Sequence, residues 1–326
     1  MTLLRTVLLA APFVAVLATS VVGFNDGTFP GKTHPVLGTV PADVARGGDS
    51  CGTCHLNFVP LGGVTVSVTP DQRSLDLGQR IMINTTVSGG PATTFGGFVA
   101  EATAGTFADT TGIAEAHLGG TFISHMKAFL GRTWDYAFDA PATPGLIELF
   151  IAGNASDADG TELGEEWAFH GDSTAQVSVP VRLYANAPGV TAHGASCEGS
   201  FGNYPVLGAK EVPQIGKLNY AVEMHGAAPG AAAAILVGVT KIQFPLGGIG
   251  VTDCTLYVQP ILSFGGGTTP GTPMLSDGMA AFPLAIPGAQ ALVGKTLEIQ
   301  ALVVDTATSR SLPFTMTNGL SITVQP

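Results

Sequence analysis

The chain has 326 residues, a formal net charge of −11 and charged side chains at only 11% of positions. That acidic balance excludes nucleic acid as an expected partner, and a hydrophobic content of 45% excludes a disordered chain. Low charge together with 44 Gly and 22 Pro points to short strands and turns, not helices.

Met1-Thr2-Leu3-Leu4-Arg5 precedes an apolar run from Val7 to Leu17, followed by the small residues Ala18, Thr19, Ser20 and Gly23. A basic start, a short apolar core and small residues read as a secretory signal peptide over residues 1–23, with a mature start near Phe24. The apolar run is short for a membrane anchor, as is Ala232 to Val237, so no transmembrane span is expected after cleavage. The expected location is exported: periplasm, cell surface or extracellular space, with envelope association left open.

Residues 24–60 form an irregular lead-in rich in Gly, Pro, Asp and Thr. It contains Cys51-Gly52-Thr53-Cys54-His55, the C-x-x-C-H attachment signature of a c-type haem. Two thiols add across the two vinyl groups of one haem, and the following imidazole ligates the iron. The expectation is one covalent haem c on Cys51 and Cys54, with His55 as axial ligand. The competing readings are a Cys51–Cys54 disulfide or half of a zinc site. Zinc needs two further ligands at suitable spacing, and a C-x-x-C oxidoreductase usually sits in a βαβ pattern that does not follow here.

From Leu61 the pattern changes to strands. Val64, Val66 and Val68 alternate with Thr65, Ser67 and Thr69, and Pro70-Asp71 makes a turn. Ile81 to Thr85 continues as a strand that ends at Ser88-Gly89-Gly90-Pro91. Phe95 to Ala102 is another, and Gly105-Thr106-Phe107 reads as the start of a loop. Thr133 to Phe138 alternates again, with Trp134 and Tyr136 expected to pack between sheets. Leu146 to Ala152 and Val177 to Ala185 are further strands, and Asn186-Ala187-Pro188-Gly189 marks a domain boundary. Short strands at regular spacing predict an all-β chain of two immunoglobulin-like β-sandwich domains, residues 61–188 and 189–326, with the haem loop before the first.

The ordered series Cys51 to His55, Gly62-Gly63-Val64, Gly96-Gly97-Phe98, Ser124-His125-Met126, Trp134 to Pro141 and Ala152-Gly153-Asn154-Ala155 carries a resemblance. It resembles the reeler-type, reelin-like β-sandwich of secreted bacterial proteins, in the branch called "choice-of-anchor V", over roughly Cys51 to Gly171. The resemblance implies an immunoglobulin-like sandwich in a surface or secreted protein and no enzyme activity. Ser156 to Gly160 departs modestly from the Asn-Gly-Asp-Gly usual at that place.

The second half alternates at Leu218 to Met224, Ala234 to Val239, Leu256 to Val258, Leu297 to Val304 and Leu320 to Val324. Pro287 and Leu292 to Gly294 mark turns. Gly194 to Gly199, Asp253 to Tyr257 and Gln300 to Asp305 resemble the C-terminal β-domain of large planctomycete-type secreted proteins, which implies a surface-retention or interaction module. Outside the haem motif only Cys197 and Cys254 remain, and in an oxidising compartment they should pair. The resembling domain has its cysteines at the same places.

The sixth iron position has five candidates: His34, His117, His125, Met126 and His170. His125 is the first choice, because the resembling family tends to carry a histidine there. Bis-histidine ligation would give a low potential, and Met126 in its place would raise it. On a strand only one of two adjacent side chains can face the iron. Against this, His125 also reads as an exposed strand residue with no ligand role. His117 (in a Gly-flanked loop) and His170 read as solvated, and His193 and His225 belong to the other domain. Asn154, Asp157 and Asp159 with Gly160 faintly resemble a calcium loop, but an ordinary Asp-Gly turn is the stronger reading, with Glu162, Glu165 and Glu166 solvating it.

No nucleophile elbow, phosphate loop or carboxylate pair stands out, so an electron carrier or a binding protein is expected before an enzyme. The main reading is an exported monohaem c-type cytochrome passing electrons to a redox partner or surface acceptor. The alternative is a secreted β-sandwich adhesion or surface-structure protein whose C-x-x-C is a disulfide or whose haem is incidental.

Overall fold

A computed structural model describes residues 63–91, 94–126, 131–157, 165–171, 178–272 and 275–326. The first half holds β1 (Val64–Pro70), β2 (Ser74–Asp76), β3 (Arg80–Gly89), β4 (Gly96–Ala102), β5 (Thr106–Ala108), β6 (Ala114–His117), β7 (Phe122–His125), β8 (Thr133–Asp139), β9 (Gly145–Ala155), β10 (Glu166–Phe169) and β11 (Val181–Asn186). The second half holds β12 (Val190–His193), β13 (Val206–Gly208), β14 (Ala221–Ala227), β15 (Ala232–Gly238), β16 (Lys241–Pro245), β17 (Thr255–Val258), β18 (Leu262–Gly267), β19 (Gly278–Pro283), β20 (Thr296–Val304) and β21 (Phe314–Thr323). Among the described residues no helix is long and apolar enough to cross a membrane.

Alternation makes the first sandwich. In β1 the valines are buried and the Thr and Ser between them exposed, as a sheet with one solvated face requires. β1 pairs with β3, β3 with β8 and β8 with β5 in a four-stranded sheet. The facing seven-stranded sheet runs β2-β11-β9-β4-β7-β6, with β10 alongside β9. Between the two sheets, Trp134, Tyr136 and Phe138 from β8 meet Phe98, Ile123, Ile147, Leu149 and Ile151. Phe98 stacks on Tyr136 with ring centroids 5.2 Å apart, and Trp134 lies 4.9 Å from Phe98. The buried Tyr136 hydroxyl shares a 2.8 Å hydrogen bond with Thr85, which avoids the cost of an unpaired buried hydroxyl.

The second sandwich packs the five-stranded sheet β12-β21-β20-β15-β18 against the three-stranded β13-β14-β19. Its core is mainly aliphatic: Val222, Met224, Ile235, Ile299, Val303, Leu320 and Ile322 around Tyr220 and Phe282. A smaller cluster gathers Leu246, Val251 and Met316 at the Cys197–Cys254 disulfide.

Several expectations are corrected. Thr106–Ala108 is a strand, not a loop, because its backbone pairs with Ala137–Asp139 of β8. His117 ends β6, which pairs with β7, and does not lie in a loop. Asn154 lies within β9 in register with Trp167, so it is not a turn residue. Leu320 to Val324 is only the end of a strand that begins at Phe314.

Candidate functional site

The outward face of the seven-stranded sheet is where the first sandwich departs from a solvated surface. Residues that alternate with the core side chains should face water. Instead Val99, Phe122, Ala152, Trp167 and Phe169 form a second buried cluster on that face. Glu101, Ser124, Asn154 and Glu165 are buried as well.

Polar side chains on these strands are paired to one another. The His117 Nε2 and the Ser124 hydroxyl lie 3.1 Å apart, and the His117 ring stacks on Phe122 at 4.5 Å. The Asn154 amide donates to a Glu165 carboxylate oxygen at 3.4 Å. His125 is buried, with its Nδ1 3.2 Å from both the backbone nitrogen and the carbonyl oxygen of Phe98. Gly97 leaves the space that His125 occupies: a Cβ there would stand 2.8 Å from His125 Nδ1 and 2.7 Å from the Asn154 Oδ1. Gly97, His125 and Asn154, from three separate motifs of the sequence, therefore meet at one spot.

These placements correct several sequence expectations. His125 is not an exposed strand residue. Glu165 is buried against Asn154 and does not solvate a loop. His170 is partly buried, with Nδ1 donating to the Val179 carbonyl at 2.7 Å. Burial, the Val179 carbonyl working against it and the Arg73 charge together push the His170 imidazole down to about 4. Met126 follows His125 in partly buried surroundings, its backbone N–H donating to Ile113. Cys51, Cys54, His55 and His34 lie outside the described residues, as do Asp159, Gly160 and Glu162. The His125 Nδ1 either accepts from the Phe98 N–H or donates to the Phe98 carbonyl, according to the ring's tautomer. Among the described residues no group of three His, Cys, Asp or Glu is placed to hold a metal ion.

Sequence reasoning missed β10, whose Trp167-Ala168-Phe169 is a short apolar run, buried throughout, with no alternation to mark it. It also missed the joint between the sandwiches. The Ser74 hydroxyl donates to the Leu207 carbonyl at 3.0 Å, and the Asn186 amide donates to the Ser74 hydroxyl at 2.8 Å. The Ala209 N–H donates to Asn186 Oδ1 at 3.1 Å. Tyr184 donates to Glu223 at 3.0 Å, while Lys210 holds the other Glu223 oxygen at 2.5 Å. Burial works upward on the Glu223 carboxyl, but the bonds from Lys210 and Tyr184 outweigh it and keep the group below its ordinary value. Arg182 joins Glu148 at 3.1 Å and donates across to the Ser276 carbonyl at 2.9 Å. Gly208 is needed here, because a Cβ would run into the Tyr184 ring.

Cys197 and Cys254 form a disulfide with Cα atoms 4.9 Å apart, closing a loop of 57 residues. Such bonds persist in oxidising compartments.

Neither a family model nor a curated protein matches this chain. Among solved structures it is similar to the reelin-N domain of F-spondin at 15% identity, covering 38% of this chain and 87% of that one, with a TM-score of 0.29. The human F-spondin reeler domain is similar at 14% identity over 38% of this chain and 89% of its own, with a TM-score of 0.28. Trypsin-activated alpha-2-macroglobulin from Escherichia coli is similar at 8% identity over 80% of this chain and 16% of its own, with a TM-score of 0.23.

Proposed function

We propose that this chain is an exported surface-structure or adhesion protein, in which two β-sandwiches act as one stiff body. The observation that carries this reading is the joint. Buried, mutually satisfied hydrogen bonds from Ser74, Arg182, Tyr184 and Asn186 tie one sandwich to the other. Such networks hold one geometry, since each member left unpaired would cost its full desolvation. A disulfide in the second sandwich supports a protein built for life outside the cytoplasm. The test is deletion of the gene followed by a surface-attachment assay. Loss of attachment, restored by the intact chain, supports the proposal; unchanged attachment with altered respiratory electron flow contradicts it.

A second reading is kept by one observation, the placement of His125. Haem attached at Cys51 and Cys54 would take His55 as one ligand and His125, or Met126, as the other. The eight residue steps from His55 to Gly63 span at most about 29 Å. Gly63 lies against Glu166 of β10, and β10 is separated from β7 by β9 and β4, about 14 Å at ordinary strand spacing. That chain length supports the pairing. Bound haem would supply one-electron chemistry, and the role of His125 would be to hold the iron by Nε2 while Phe98 holds Nδ1. A low-spin spectrum lost in His125→Ala supports this reading, and an unchanged spectrum removes His125 from it.

A further inference from the structure

β18 is the last strand of the five-stranded sheet in the second sandwich, and among the described residues it pairs only with β15. Just past it, the Thr268 N–H donates to Ala231 in the same register. Bonded pairs alternate along an antiparallel ladder. Leu262, Phe264 and Gly266 therefore bond to β15, and the N–H and C=O groups of Ser263, Gly265 and Gly267 point outward. Those three residues are exposed. Other edges are blunted in ways that discourage further pairing. β1 ends at Pro70, β6 carries Glu115, β19 closes on Pro283, and β2 and β13 have three residues each. β18 has six residues in unbroken register, with no charge and no Pro.

Gly265-Gly266-Gly267 is costly in a strand, since glycine gives up more conformational freedom than any other residue. A single chain does not need the three glycines. None has a left-handed φ. A Cβ added at Gly265 or Gly267 would meet nothing closer than a carbonyl oxygen at 3.6 Å, and one at Gly266 nothing closer than the Phe282 ring at 3.9 Å. Glycine inside a strand marks a place where another backbone comes close. Charge bears on whose backbone that is. A net charge of −11 opposes contact between copies, yet residues 226–240 and 255–276 contain no Asp, Glu, Lys or Arg. β15, β18 and their flanks are therefore where two copies meet the least repulsion.

We propose that β18 pairs with β18 of a second copy, antiparallel about a twofold axis at Gly265, and joins two five-stranded sheets into one. In that register Gly265 faces itself and Ser263 faces Gly267 of the second copy, and each pair exchanges both its hydrogen bonds. The side chains match as well. Phe264, partly buried in one copy, comes opposite Gly266 of the second copy, and Leu262 comes opposite its Thr268. Each large side chain then lies beside a small residue, and an aromatic ring set across from a strand glycine supplies the packing that glycine lacks. This match needs nothing beyond the strand's own sequence, which singles out a second copy as the occupant. One such edge per chain closes the assembly at two.

The test is sedimentation of the full exported chain from about 1 µM to about 1 mM, where a concentration-dependent dimer is expected. Gly265→Lys adds a side chain that the single chain has room for, but it sets two like charges against each other at the axis. The variant should keep the wild-type melting temperature at dilutions where both are monomers, and its dimer dissociation constant should rise about tenfold or more. Should that variant fail to fold, amide exchange on the wild type decides. The Gly265 and Gly267 amides should gain protection over the same concentrations at which the dimer forms. A wild type that stays monomeric throughout, a dimer equally tight in Gly265→Lys, or a dimer that leaves those amides unprotected overturns the proposal.

Discussion

The two sandwiches solve one problem with different materials. The first fills its interior with large rings, Trp134, Tyr136, Phe98, Phe107 and Phe138, in edge and stacked contact. The second relies mainly on smaller aliphatic side chains and adds a disulfide beside its main core. Aromatic burial stabilises through contact area in the folded state, whereas a cross-link acts largely by restricting the unfolded chain. The difference teaches that each half should fail by a different route, and that only a loss larger than the coupling through the joint should separate them.

The largest expected effect comes from removing a ring. Trp134→Ala should cost the first sandwich about 3–5 kcal/mol. Calorimetry should then show a separate early transition, while amide exchange in β20 and β21 stays protected. Next comes the cross-link. Replacing Cys197 and Cys254 together by Ala should cost the second sandwich about 4 kcal/mol for a loop of 57 residues. Here the early transition should belong to the second half instead, read by exchange at the same strands.

Acid should act on the first sandwich through His170. Its imidazole is held far below the ordinary value of 6.5, at about 4, chiefly by burial. Above the ordinary value both folded and unfolded forms are neutral and stability is full. As pH falls through that window only the unfolded chain gains the proton, so stability declines, by roughly 3 kcal/mol in all. Denaturant midpoints measured from pH 7 to pH 4 should flatten in His170→Gln. The smallest effect tests the joint: Tyr184→Phe removes the bond to Glu223 and should cost about 1–2 kcal/mol. A single thermal transition should split into two.

The strands that carry long alternation were legible from residue order. β1, β3 and β8 show it, and the place of Trp134 and Tyr136 in the core followed from the polar Asp135 between them. The pairing of Cys197 with Cys254 was legible from the count of cysteines in an exported chain. Short elements were not. β5 spans Thr106–Ala108 and exists because β8 offers it a partner, which no local signal near Gly105 records. Asn154 and Glu165 looked like surface residues because each is polar, and their burial follows from packing that residue order does not record. The joint was illegible for the same reason. Ser74 and Leu207 meet across 133 residues, and neither residue type signals an interface.

The measurement that bears most directly on the account is membrane-impermeant labelling of intact producing cells, followed by the absorption spectrum of the recovered protein. The account predicts a chain labelled from outside, and the same labelling when Cys51 and Cys54 are replaced by Ser. A chain shielded from the label, carrying covalent haem and lost when those two cysteines are replaced, would contradict it.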